Sequence, residues 1–107
     1  MIAQKADESI EQAVAYELQN IVKKYGAKYH STHEAYAVLK EEAEEAQECM
    51  SDLFYHLNNI WSGVKENNIA LIDVDLCKGF AIALANEAVQ CAAVCERFEE
   101  TIEGGVK

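Results

Sequence analysis

The stretch STHEAYAVLKEEAEEAQECMSDLFYHLNNIWSGV, Ser31 to Val64, decides the fold. It opens on Ser31 with Glu34 three residues later, a pairing in which the hydroxyl and the carboxylate satisfy free N–H groups at a helix start. Apolar side chains then follow at alternating steps of four and three: Leu39, Ala43, Ala46, Met50, Leu53, Leu57, Ile60 and Val64. This heptad-like seam predicts one helix from His33 to Val64. At 1.5 Å per residue it would be about 48 Å long, against about 34 Å for the diameter of a compact monomer of this size. The helix therefore either breaks near its middle or reaches a second subunit.

Upstream, Ile10, Val14, Leu18, Ile21 and Tyr25 form the stripe of a first helix that Gly26 suits as a stop. Its start lies either at Ser9, with Gln12 completing a capping box, or further back, where Ala3 and Ala6 extend the same face. Downstream, Ser62-Gly63 and Asn67-Asn68 offer stops for the second helix, and Asp73 or Asp75 a cap for a third. That third helix is expected to run to about Ile102, before Gly104-Gly105. With no proline and no sustained two-residue alternation, residues 1–107 are expected to form a single all-α domain.

The charge narrows the partners. Nineteen acidic residues against nine basic give a net charge of −10, and the acid excess lies in the middle and at the end of the chain. Binding a nucleic-acid backbone needs clustered Lys and Arg, whereas this chain has one arginine and no basic run beyond Lys23-Lys24, so no nucleic-acid partner is expected. Met1 to Val14 carries too many charges for a leader peptide. No uncharged run approaches the roughly 20 residues of a membrane span, and a cytoplasmic protein is expected. Cys49, Cys77, Cys91 and Cys95 form no C-x-x-C pair and read as free thiols packed as small apolar residues. His30 and His33 fit no zinc spacing.

From Gly79 to Cys95 the third helix reads GFAIALANEAVQCAAVC, with Glu87 its only charge. A helix apolar on every side is normally interior, and a carboxylate there requires a cation, a metal or a hydrogen-bond network. Gln90 lies one turn further along the same face. On the second helix, Glu42 and Glu45 stand three apart at the edge of the seam, on a face that continues as Cys49, Asp52 and His56. An E-x-x-E turn facing an E-x-x-Q turn suits a hard divalent cation held between helices. Oxygen ligands favour Mg²⁺ or Mn²⁺ over zinc.

The run S-x-H-E-A-Y-A-V-L-K-E-E-x-x-E from Ser31 to Glu45, followed by N-E-A-V-Q-C-A-A-V from Asn86 to Val94, resembles the MazG-like all-α nucleotide pyrophosphohydrolases, especially their short bacterial and phage-type members. The resemblance covers roughly residues 30–100. It implies a helical bundle whose four-helix core is completed by oligomerisation into dimers or tetramers. It also implies Mg²⁺ ions held by an E-x-x-E and a later E-x-x-D, and hydrolysis of a nucleoside triphosphate to its monophosphate and pyrophosphate. On this chain Glu42 and Glu45 fill the first pair and Glu87 opens the second. Gln90 stands where the family pattern has Asp, offering only a carbonyl oxygen, and the gap between Glu45 and Glu87 is longer than in compact members. Asp52 is a candidate for the missing position; a single-metal site is the alternative. Lys40, Lys78 and Arg97 are candidate phosphate clamps, and Tyr36, Phe54 and Trp61 candidate stacking surfaces for a base. Two further readings stay open: a catalytically degenerate nucleotide- or metal-binding protein, which Gln90 favours, and a non-enzymatic helical oligomerisation module, which the seam favours.

Overall fold

The computed structural model describes residues 3–107, and among them the chain forms three helices and no strand: α1 (Gln4–Tyr25), α2 (Thr32–Lys65) and α3 (Leu71–Glu103). Met1 and Ile2, the first residues of the stretch read for a leader, lie outside the described residues. The all-α expectation holds.

Each helix end follows from local chemistry. α1 starts at Gln4, upstream of Ser9, so the Ser9 capping box does not form. The Ser9 hydroxyl instead donates to the Lys5 carbonyl at 2.9 Å, the back-bond a serine makes inside a helix. Gly26 takes φ 93°, and its N–H donates to the Val22 carbonyl at 2.8 Å. At the start of α2, the Glu34 N–H donates to Ser31 Oγ at 3.1 Å, and the Glu34 carboxylate accepts the His30 N–H at 3.2 Å. The expected box is present, its return half displaced one residue upstream.

α2 then runs 34 residues without a break. It stops at Asn67, the one described non-glycine residue with positive φ, at 54°. The Asn68 N–H reaches back to the Gly63 carbonyl at 2.8 Å and the Asn67 N–H to that of Val64 at 3.2 Å, closing the last turn with a left-handed residue. α3 ends the same way: Gly105 has φ 81°, with Val106 bonded to Thr101 at 3.1 Å and Gly105 to Ile102 at 2.9 Å. It begins at Leu71, ahead of both aspartates read as caps. Asp73 sits inside the first turn, its carboxylate turned towards α2.

Two compact units make up the chain: residues up to Ala43 together with Ala88–Lys107, and Glu44–Glu87. The first holds the core, with Tyr29, Ala35 and Val94 buried and Ile21, Val38, Leu39 and Phe98 packed against them. Arg97, 5% exposed, organises it. Its Nε–H donates to the Gly26 carbonyl at 3.1 Å, and Nη2 to those of Tyr25 at 3.1 Å and Lys28 at 3.2 Å. The guanidinium also stacks 3.9 Å above the Tyr29 ring. Thr101 Oγ accepts the Tyr29 N–H at 2.9 Å and donates to the Arg97 carbonyl at 2.8 Å. Two side chains of α3 thus take up the free backbone groups of the turn between α1 and α2.

The second unit is a helical hairpin. His56 Nδ1 lies 2.9 Å from Asp73 Oδ1, its ring stacks on Phe80 at 5.6 Å, and the Cys77 thiol donates to the Leu53 carbonyl at 3.7 Å. Among residues 44–87 only Gly63 is fully buried. The interior position expected for Gly79–Cys95 is therefore not met over its first half, where Ile82 is exposed. None of the four cysteines is in a disulfide, and all are half-buried rather than fully packed.

Candidate metal centre

The capping box at Ser31 fixes where α2 begins, and its regular winding brings Glu42 and Glu45 to one side, a turn apart. In the hairpin, Glu45 meets Glu87 on α3. Within this unit one carboxylate oxygen of Glu45 lies within 4.8 Å of one from Glu87. Glu45 is exposed, whereas Glu42 and Glu87 are half-buried. The Oε2 atom of Glu87 is buried without a hydrogen-bond partner.

This crowding changes the acid chemistry of Glu45, whose pKa is raised above its ordinary 4.5. The main cause is a hydrogen bond to the Glu87 side chain, followed by repulsion from the Glu87 charge and by partial desolvation. Two facing carboxylates favour sharing a proton or a cation. Hard oxygen donors and an unpartnered buried Oε2 fit Mg²⁺ or Mn²⁺.

The remaining sequence candidates are scattered. Gln90 is half-buried in the first unit, where it lines a cavity of about 750 Å³ that Glu42, Tyr25, Tyr29 and Arg97 also border. Asp52 is exposed, two turns beyond Glu45, and is not among the gathered carboxylates. Lys40 is exposed, and Lys78 lies 3.8 Å from Asp75. Arg97, a candidate clamp, is buried with three N–H bonds committed to backbone carbonyls. Tyr36, Phe54 and Trp61 are all exposed.

Sequence reasoning missed a second cluster, three turns further along α2. Asp73 accepts from His56 and from the Asn59 amide, the latter at 3.3 Å. The spacing of His56 and Asn59, three apart on α2, was its available signal, obscured because an aspartate near a helix start reads as a cap. Compared with models of known families, with curated proteins and with solved structures, the chain matches none.

Proposed function

We propose that this chain is a cytoplasmic, Mg²⁺-dependent nucleoside triphosphate pyrophosphohydrolase of the MazG-like kind, acting as a dimer or tetramer. One observation carries the reading: Glu87 brings a buried, unpartnered carboxylate oxygen against Glu45, on the helix that also bears Glu42. Its motif resemblance supplies the reaction class.

Glu42, Glu45 and Glu87 are the residues that would hold the cation, with Mn²⁺ an acceptable substitute. Bound there, a divalent ion neutralises phosphate charge and lowers the pKa of a coordinated water. The chain's own contributions are distinct. Glu87, set in an apolar helix, anchors the ion. Glu45, whose proton affinity is raised by Glu87 in the metal-free chain, is the carboxylate whose proton the cation would displace. Lys40 and the aromatic side chains Tyr36 and Trp61 are the accessible groups for phosphate and base.

Gln90 favours a second reading, a degenerate relative that binds nucleotide and metal without turnover. The test is a panel of nucleoside triphosphates with Mg²⁺ or Mn²⁺, quantifying pyrophosphate and monophosphate beside a Glu87→Gln control. Pyrophosphate release that disappears in the control supports the enzyme. Metal-dependent nucleotide binding without turnover supports the degenerate protein; the loss of both leaves a helical association module.

A further inference from the structure

Gln90 is half-buried, and its side-chain amide makes no hydrogen bond among the described residues. It lines the cavity of about 750 Å³, which lies wholly within the first unit. The walls of that cavity disfavour a bare phosphate. Glu17, Glu34 and Glu42 place three carboxylates in them, against two cations that are both engaged. Arg97 is bound to three backbone carbonyls, and the Lys24 ammonium lies 5.2 Å from the centre of the Tyr25 ring. The rest of the lining suits a neutral, flat group. Ile21, Val38 and Val94 supply apolar surface, and Tyr29 brings a hydroxyl that is buried without a partner. Unpartnered polar groups around an apolar cavity mark a place for a ligand with donors and acceptors of its own.

We infer that Gln90 is a specificity-determining residue: the cavity takes the base of the nucleotide, and the Gln90 amide distinguishes one base from another. This rests on the nucleotide reading above, whether the nucleotide is turned over or only bound. Glu42 lines the cavity and is also one of the carboxylates proposed for the cation, so phosphates gathered at the cation leave the base to enter. Glutamine presents a carbonyl acceptor and an amide donor side by side, the arrangement that forms two bonds with the edge of a base. An aspartate in its place, as in the family pattern, would add a fourth carboxylate to these walls and would only accept. Stacking on an aromatic face tolerates every base; an amide that reads an edge does not. The departure at Gln90 exchanges a metal ligand for a base reader.

The test is calorimetry with Mg²⁺, titrating adenine, cytosine, guanine and uracil nucleoside triphosphates beside inorganic triphosphate, which carries the phosphates without a base. Gln90→Leu is expected to weaken binding of the preferred nucleotide about tenfold and to leave inorganic triphosphate unchanged. Gln90→Glu replaces the amide donor by a second acceptor, which suits the adjacent N1–H and N2–H donors of guanine. The ratio of guanine to adenine nucleotide affinity is expected to rise about fivefold or more, and this ratio is indifferent to any change in metal affinity common to both. Circular dichroism checks that both variants keep their helices. Equal losses for nucleotides and inorganic triphosphate in Gln90→Leu, the result for a metal ligand, overturn the inference and leave the nucleotide reading standing. So does a wild-type protein whose affinities for the bases are all alike, an outcome that needs no variant to fold. A wild type that binds neither nucleotide nor inorganic triphosphate overturns both.

Discussion

Across the α2–α3 hairpin, Nδ1 of His56 lies 2.9 Å from Oδ1 of Asp73, and the two side chains are equally sheltered from solvent. The hydrogen bond to His56 is the largest influence on Asp73 and holds its pKa below the ordinary 3.8, partly opposed by desolvation and reinforced by Asn59. A carboxylate with a depressed folded pKa binds fewer protons folded than unfolded. Its contribution to stability is complete above 3.8 and is lost as pH falls below that value. Urea unfolding between pH 5 and pH 2 is expected to show a steeper loss for the wild type than for Asp73→Asn; parallel curves would count against the pair.

Glu45 is expected to behave in the opposite sense. Its folded pKa lies above 4.5, so the metal-free folded chain holds more proton than the unfolded one, and stability falls as pH rises through that window. Glu45→Gln removes this slope in EDTA. If the cation takes the proton's place, Mg²⁺ at a hundredfold excess over its Kd raises wild-type stability by about 2.7 kcal/mol. Thermal unfolding with and without Mg²⁺ measures it, and Glu87→Gln is expected to show no such gain.

Arg97→Ala is expected to destabilise the protein by about 2–4 kcal/mol, because three backbone carbonyls lose their donor in a buried setting. Arg97→Lys is not expected to rescue it, since an ammonium cannot reproduce the planar fork or the stack on Tyr29. Chemical denaturation of both variants tests this.

Two glycines should respond with opposite signs. At Gly63 a Cβ would stand 2.8 Å from the Asn68 carbonyl oxygen and 2.9 Å from Ile69 Cα, both backbone atoms that cannot swing aside. Gly63→Ala is expected to cost about 1–3 kcal/mol through that overlap. At Gly79 nothing lies within 4 Å, and Gly79→Ala is expected to stabilise α3 by about 0.5–1 kcal/mol through reduced chain entropy. Thermal melts of the two variants should move in opposite directions.

What could be read from sequence was set by range. Ser31 with Glu34, Gly26, and Gly104-Gly105 act within one turn of themselves, and the helix ends they suggested are the ends found. Of the two starts read for α1 the upstream one is found, Ser9 bonding the Lys5 carbonyl instead; Asp73 misled because its partner, the His56 ring, is not revealed by composition. Glu42 and Glu45 were legible as neighbours by helical spacing alone. The approach of Glu87 to Glu45 was approachable only through the apolar context of Glu87, which marked it as a charge needing company. The division of the α2 seam into half-buried members such as Leu53 and exposed ones such as Leu57 was invisible, since periodicity gives a face but not what lies opposite it.

The turn after α1 is held by side chains that follow it by about 70 residues, Arg97 and Thr101. The hairpin of residues 44–87 is contiguous in the chain and closes over the short connection between α2 and α3. Closing a long loop carries more entropy than closing a short one, and distant contacts form later. During synthesis the hairpin can zip while the turn after α1 still waits for Arg97 and Thr101 to emerge. A chain released before Arg97 would lack the three hydrogen bonds that tie down the turn after α1.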